Sequence, residues 1–257
     1  MAVTNAASTP ALVVRDLVKR FGDATVIHGL SFEVPRGQVC ALLGPNGAGK
    51  TTTLQILLGL TLPTSGTIEI LGVDLTKHRS VALARTNFAA SYISLPGRMR
   101  VREALRFYAE LYGVRDVRQA IDDVVELLGI DAFLKTPCSN LSSGQQTLVL
   151  LAKALINAPE LLFLDEPSAA LDPERAVQIR KVLRRVADER GMSVLITSHN
   201  MVEVERLADR VLFLANGSLL QDATAEQLID LYAVDNLEDV FLAVAAQSQA
   251  TIGSDVP

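Results

Sequence analysis

The feature that most constrains the fold is VCALLGPNGAGKTTTLQILLGL, residues 39–60. A continuous apolar run passes into a helix-forming run through GPNGAGKT, residues 44–51. An apolar run without alternation reads as a strand covered on both faces. The connecting stretch fits G-x-x-x-x-G-K-[ST], and it sits between a strand and a helix, the context that motif requires. Its glycines let backbone N–H groups turn inward around phosphate oxygens. The helix that follows adds the partial positive charge of its N-terminus. The candidate phosphate-binding residues are therefore Gly44, Pro45, Asn46, Gly47, Ala48, Gly49, Lys50, Thr51 and Thr52. Lys50 is expected to reach the β- and γ-phosphates, and Thr51 to place its hydroxyl on Mg²⁺.

The remaining texture extends this unit. Residues 11–43 hold short alternating and β-branched runs broken by Gly and Pro, which predict strands and turns. TSGTIEILG (64–72) predicts a further short strand pair. From about 76 to 157 the pattern reads as helical, with VREALRFYAELYG, AIDDVVELLGI and QQTLVLLAKALIN. Strands return at LLFLD (161–165), SVLITS (193–198) and RVLFLANGSLL (210–220), separated by amphipathic helices. Apolar strands alternating with helices predict parallel βαβ crossovers. The expected fold is α/β: a P-loop NTPase core with a mostly parallel sheet, an antiparallel β subdomain and a helical insertion at about 76–157. One domain over 11–245 is expected, with loose tails at 1–10 and 247–257.

Two further stretches carry chemistry. LLFLDEP ends a strand in Asp165 and Glu166. A carboxylate at the C-terminal end of a parallel strand faces the crevice where ligands bind. Asp165 is the candidate for Mg²⁺, and Glu166 for polarising an attacking water. LSSGQQT (141–147) places small and polar residues at the mouth of an apolar helix. Ser142, Ser143 and the N–H of Gly144 offer donors there, and small side chains allow close approach of an anion. The same serine also reads as an ordinary N-cap.

GPNGAGKT, LSSGQ, LDEP, SAALD and the histidine of LITSHN occur in the order and spacing seen in ATP-binding subunits of ABC transporters, a resemblance covering residues 11 to 245. It implies that two ATP-binding domains, identical or different, meet head to tail over two ATP molecules. Ser142, Ser143, Gly144 and Gln145 of one would close on the γ-phosphate held by the other. It further implies that Phe21 stacks on adenine, that Asp172 addresses the opposite site, and that His199 touches the γ-phosphate. NLEDVFLAV (236–244) and LYGV (111–114) resemble exporters of drugs, antibiotics, polysaccharides or ions.

Two positions depart from the family pattern. Counting back from VREAL places Ser91 where a Gln that contacts Mg²⁺ and the attacking water is expected. Leu148 stands where an Arg is usual, so a fork of donors is lost or the helix face is repacked. Arg98, Arg100, Arg102 and Arg106 lie beside this hinge, as a docking face or a solvated one. The resemblance leaves three functions open: an ATPase that powers a separate membrane permease, a hydrolysis-impaired binding partner in a heterodimer, or a soluble ABC ATPase outside transport.

Bulk properties narrow the class. The formal net charge of −5 argues against a nucleic-acid surface. Cys40 and Cys138 stand in unrelated contexts without metal-ligand spacing, as buried thiols of a reducing compartment do. MAVTNAASTP has neither a basic start nor an apolar run of a secretion signal, and no apolar run approaches the ~18 residues of a membrane span. A cytoplasmic protein attached to the inner membrane face through its permease is expected.

Overall fold

Two sheets, nine α-helices and two short 3-10 turns make up the described part of the chain, which in this computed structural model is residues 9–253 except Ser91, Ala169 and Ala170. In chain order the elements are β1 (Leu12–Phe21), β2 (Ala24–Val34), β3 (Val39–Leu43), α1 (Lys50–Leu57), β4 (Ser65–Ile70), β5 (Val73–Asp74), α2 (Arg79–Leu83) and β6 (Thr86–Ala90). Then come α3 (Val101–Leu111), α4 (Val117–Leu128), α5 (Ser143–Leu155), β7 (Leu161–Asp165), α6 (Pro173–Arg190), β8 (Ser193–Thr197) and α7 (Met201–Leu207). β9 (Arg210–Ala215), β10 (Ser218–Ala223), α8 (Ala225–Tyr232) and α9 (Leu237–Gly253) complete it.

The larger sheet has the order β10-β9-β3-β8-β7-β6. Its strands run parallel except for β10, which forms an antiparallel hairpin with β9. The smaller sheet, β2-β1-β4-β5, is antiparallel.

The period of two along a strand explains why the central strands read as unbroken apolar runs. In β3, Val39, Ala41 and Leu43 enter one core, while Cys40 and Leu42 enter another. In β7, Leu162 and Leu164 face the first and Leu161 and Phe163 the second. Successive side chains point to opposite faces, and both faces are covered here. The first core also holds apolar residues of α3 to α9; the second is closed by α1 and the antiparallel sheet. Each side chain the size of Leu or Phe buried this way contributes roughly 1.5–3 kcal/mol.

Two expectations are corrected and one open alternative is decided. The interval 76–157 is not uniformly helical: it contains β6, which pairs in parallel with β7 and extends the core sheet. Its TNFAA sequence is short and poor in β-branched residues, yet Ala89 and Ala90 are buried. α9 runs to Gly253, through much of the stretch read as a C-terminal tail. Leu148 is 4% exposed within the larger core, so the helix face is repacked with an apolar side chain and offers no donor.

Cys40 and Cys138 are free and buried. Burial pushes the Cys40 thiol up to about 12, leaving it inert at neutral pH.

Candidate active site

The phosphate loop takes its shape from positions where a side chain does not fit. Gly44 has φ 151, and a Cβ there would lie 2.2 Å from the Leu214 carbonyl oxygen on β9. Gly49 caps α1 in the left-handed region at φ 100, a conformation that favours glycine. The loop thus lies against the neighbouring strand, with the start of α1 at its open side. Val26 of β2, from the other sheet, and the turn between β9 and β10 of the same sheet meet it.

Lys50 is half-buried. Its Nζ donates to the carbonyl oxygens of Gly44 at 2.6 Å and Pro45 at 3.0 Å. Burial lowers its pKa, against the charges of Glu166 and Asp165, which raise it. A cavity of about 350 Å³ opens above this lysine. Asn46, Gly47, Ala48, Gly49, Lys50, Thr51 and Thr52 line it, together with Asp165, Glu166 and His199. Residues from β3–α1, the end of β7 and the end of β8 therefore meet in one space, as expected at the carboxyl ends of parallel strands.

Asp165 accepts from Thr197 Oγ1 at 2.6 Å. Glu166 has φ 54, unusual for a residue with a side chain. Its N–H is held by the Thr197 carbonyl oxygen at 3.1 Å, which fixes this strained turn. The turn sends the carboxylate toward His199, whose Nε2 lies 2.9 Å from Glu166 Oε1. Burial raises the Glu166 pKa; His199 opposes it, Asp165 adds to it and Lys50 opposes it. A carboxylate raised in this way is the stronger base.

Other candidates lie elsewhere. Gly44 and Pro45 do not line the cavity; their carbonyl oxygens accept from Lys50 Nζ. Phe21, at the end of β1, is 51% exposed with Lys19 Nζ 4.6 Å from its ring centre, so it is no core residue. Asp172 caps α6, accepting from the Arg175 N–H at 2.9 Å. Ser142 and Gln145 form a reciprocal capping box at the start of α5: Ser142 Oγ accepts from the Gln145 N–H at 3.3 Å, and Gln145 Oε1 from the Ser142 N–H at 3.0 Å. The side chain of Ser143 and the first N–H groups of α5 remain at that mouth. Ser142, Ser143, Gly144 and Gln145 do not line the Lys50 cavity. Ser91 lies outside the described residues.

Two residues of the cavity were not singled out in the sequence, Val26 and Tyr92. Tyr92 lies two residues beyond the end of β6. The only sequence signal was its place beside the position where Gln is expected.

The sequence profile of the ABC transporter family matches residues 27–169, a span that holds the phosphate loop, LSSGQ and the acidic pair. The chain belongs to the ABC transporter family. It is 37% identical over 224 residues to a Nod factor export ATP-binding protein I of Ralstonia nicotianae, covering 86% of this chain and 70% of that one. It is 37% identical over 216 residues to a bacitracin transport ATP-binding protein of Bacillus licheniformis, covering 83% and 69%. A solved ATP binding subunit of an ABC transporter superposes with a TM-score of 0.82 at 25% identity, covering 91% of this chain and 99% of that one. The ABC fold accounts for both sheets and the position of the phosphate loop. Subunits of this family are ATPases coupled to transport.

Proposed function

We propose that the chain is the ATP-hydrolysing subunit of an exporter whose membrane-spanning permease is a separate polypeptide. The observation that carries this reading is the Glu166–His199 contact of 2.9 Å at the rim of the Lys50 cavity. A base, a histidine and a phosphate-loop lysine face one volume, the constellation that phosphoryl transfer to water requires. No helix among the described residues is long and apolar enough to cross a membrane. That agrees with a chain held at the inner membrane face by its permease. The export relatives support the direction of transport.

In this reading Lys50 exchanges the Gly44 and Pro45 carbonyls for β- and γ-phosphate oxygens. The N–H groups of residues 46–51 hold the remaining phosphate oxygens, and Phe21 offers its exposed ring to the base. Glu166 aligns a water with the γ-phosphorus and takes its proton; His199 holds the γ-phosphate in line. Thr51 and Asp165 present oxygen ligands to the same cavity, a donor set that suits Mg²⁺. That ion would supply charge neutralisation between the phosphates. The LSSGQ mouth of a second ATP-binding domain, with Ser142, Ser143, Gly144 and Gln145, completes the site, and Asp172 lies toward that partner. One domain, 11–245, carries all of these parts.

Steady-state phosphate release by the full chain tests the reading, with Glu166→Gln as the paired variant. The expected result is a loss of at least about a hundredfold in the variant, together with an ATP-dependent shift to dimer on gel filtration. Equal turnover by both proteins would remove Glu166 from the chemistry.

A further inference from the structure

Glu203 is the most deeply placed carboxylate near the site, 2% exposed on α7. One of its oxygens, Oε2, accepts two hydroxyl bonds, from Ser168 at 2.5 Å and from Ser198 at 2.8 Å. The other, Oε1, is buried without a hydrogen-bond partner among the described residues. Burying a carboxylate costs free energy unless it is well bonded, so its place here calls for a reason beyond packing.

The geometry gives one. Ser198 and Asn200 flank His199. Ser198 is held by the Glu203 carboxylate, and its own Oγ accepts from the Asn200 N–H at 3.1 Å. Asn200 Oδ1 in turn accepts from the Glu203 N–H at 3.1 Å. Glu203 thus grips the histidine loop on both sides of His199. Ser168 lies two residues beyond Glu166, and its carbonyl accepts from the Leu171 N–H at 3.0 Å. Asp172, the cap of α6, follows Leu171. The same carboxylate oxygen therefore fixes the chain just past Glu166 and the chain around His199.

We propose that Glu203 is a positioning residue that sets the Glu166–His199 contact by joining Ser168, just past Glu166, to the histidine loop. The proposal rests on the reading that Glu166 and His199 act at the γ-phosphate.

Removing the Glu203 side chain would open a hole beneath α7, so the serines carry the test. Ser168→Ala and Ser198→Ala each delete one hydroxyl and leave the carboxylate in place. Phosphate release by the full chain should fall about tenfold in kcat for each. KM, and the Kd of a fluorescent ATP analogue, should stay within about twofold. In a His199→Ala background, Ser168→Ala should cause no further loss, because the contact it positions is already gone. Losses that multiply in the double variant, or a rise in KM at unchanged kcat, would overturn the proposal. Wild-type turnover in His199→Ala alone would instead remove the histidine from the chemistry, and this role for Glu203 with it. That failure of the underlying reading shows in the single variant, apart from the double.

Discussion

Two lysines are drawn into the interior of this molecule, and their surroundings differ in kind. Lys50 lies at the start of α1 with carbonyl acceptors from its own loop and two carboxylates nearby. Lys153, on α5, is 4% exposed and has no carboxylate within ion-pair distance among the described residues. Its Nζ donates to Asn87 Oδ1 at 3.3 Å and to the Phe88 carbonyl at 3.1 Å. Three rings face it, Phe88 at 4.7 Å and Tyr108 and Tyr112 at 5.6 Å. Burial lowers both pKa values, that of Lys153 to about 8. The contrast teaches what makes a buried cation functional. Lys50 has exchangeable partners and an open cavity; Lys153 has fixed partners and a closed box joining α5 to β6 and α3.

The largest effect should separate the two. Lys50→Ala is expected to lower phosphate release by about a thousandfold, since it removes the cation nearest the developing charge. Lys153→Met, which keeps the length of the side chain, should hold turnover within about threefold. If Lys153→Met loses as much as Lys50→Ala, the two lysines are not different in kind.

The next effect concerns stability and its pH dependence. Below pH 8 Lys153 carries its proton in both folded and unfolded chains, and the fold bears the cost of burying that charge. Between about 8 and 10.5 the unfolded chain binds more protons than the folded one, so stability rises with pH across that window. The gain is on the order of 3 kcal/mol. Denaturant unfolding of wild type and Lys153→Met at several pH values isolates this contribution. A flat difference between the two proteins from pH 8 to 10.5 would mean that the aromatic rings and two oxygens already compensate the charge.

The sequence made the Lys50 region legible and left the Lys153 region obscure, for a physical reason. The strand, loop and helix around Lys50 are contiguous, so the motif that they form is visible in the chain. The capping box at Ser142 and Gln145 is equally local, spanning one helical turn. β6 was missed because TNFAA sits between helices and is defined by pairing with β7, far along the chain. The box around Lys153 depends on that strand and on α3. Tyr92, which enters the Lys50 cavity by following β6, was hidden by the same pairing, and so was the Ser168–Glu203–Ser198 junction between three separate segments. Leu148 was visible as a departure, but only its burial distinguishes repacking from a lost donor.

Tyrosine offers the finest form of the comparison, because tyrosines border the surroundings of both lysines. At Lys153 the ring face of Tyr108 is opposite the ammonium. At Lys50 it is Tyr92 that lines the cavity, and burial and the charge of Asp165 raise its pKa above the ordinary phenol value. Phenylalanine keeps a ring and deletes a hydroxyl. Tyr108→Phe should therefore leave turnover and stability near wild type. Tyr92→Phe should lower kcat about threefold, the worth of one ordinary hydrogen bond, with KM unchanged. Equal turnover in both variants would make Tyr92 a wall of the cavity. A rise in KM for Tyr92→Phe would mean that its hydroxyl binds the nucleotide as firmly before the reaction as during it.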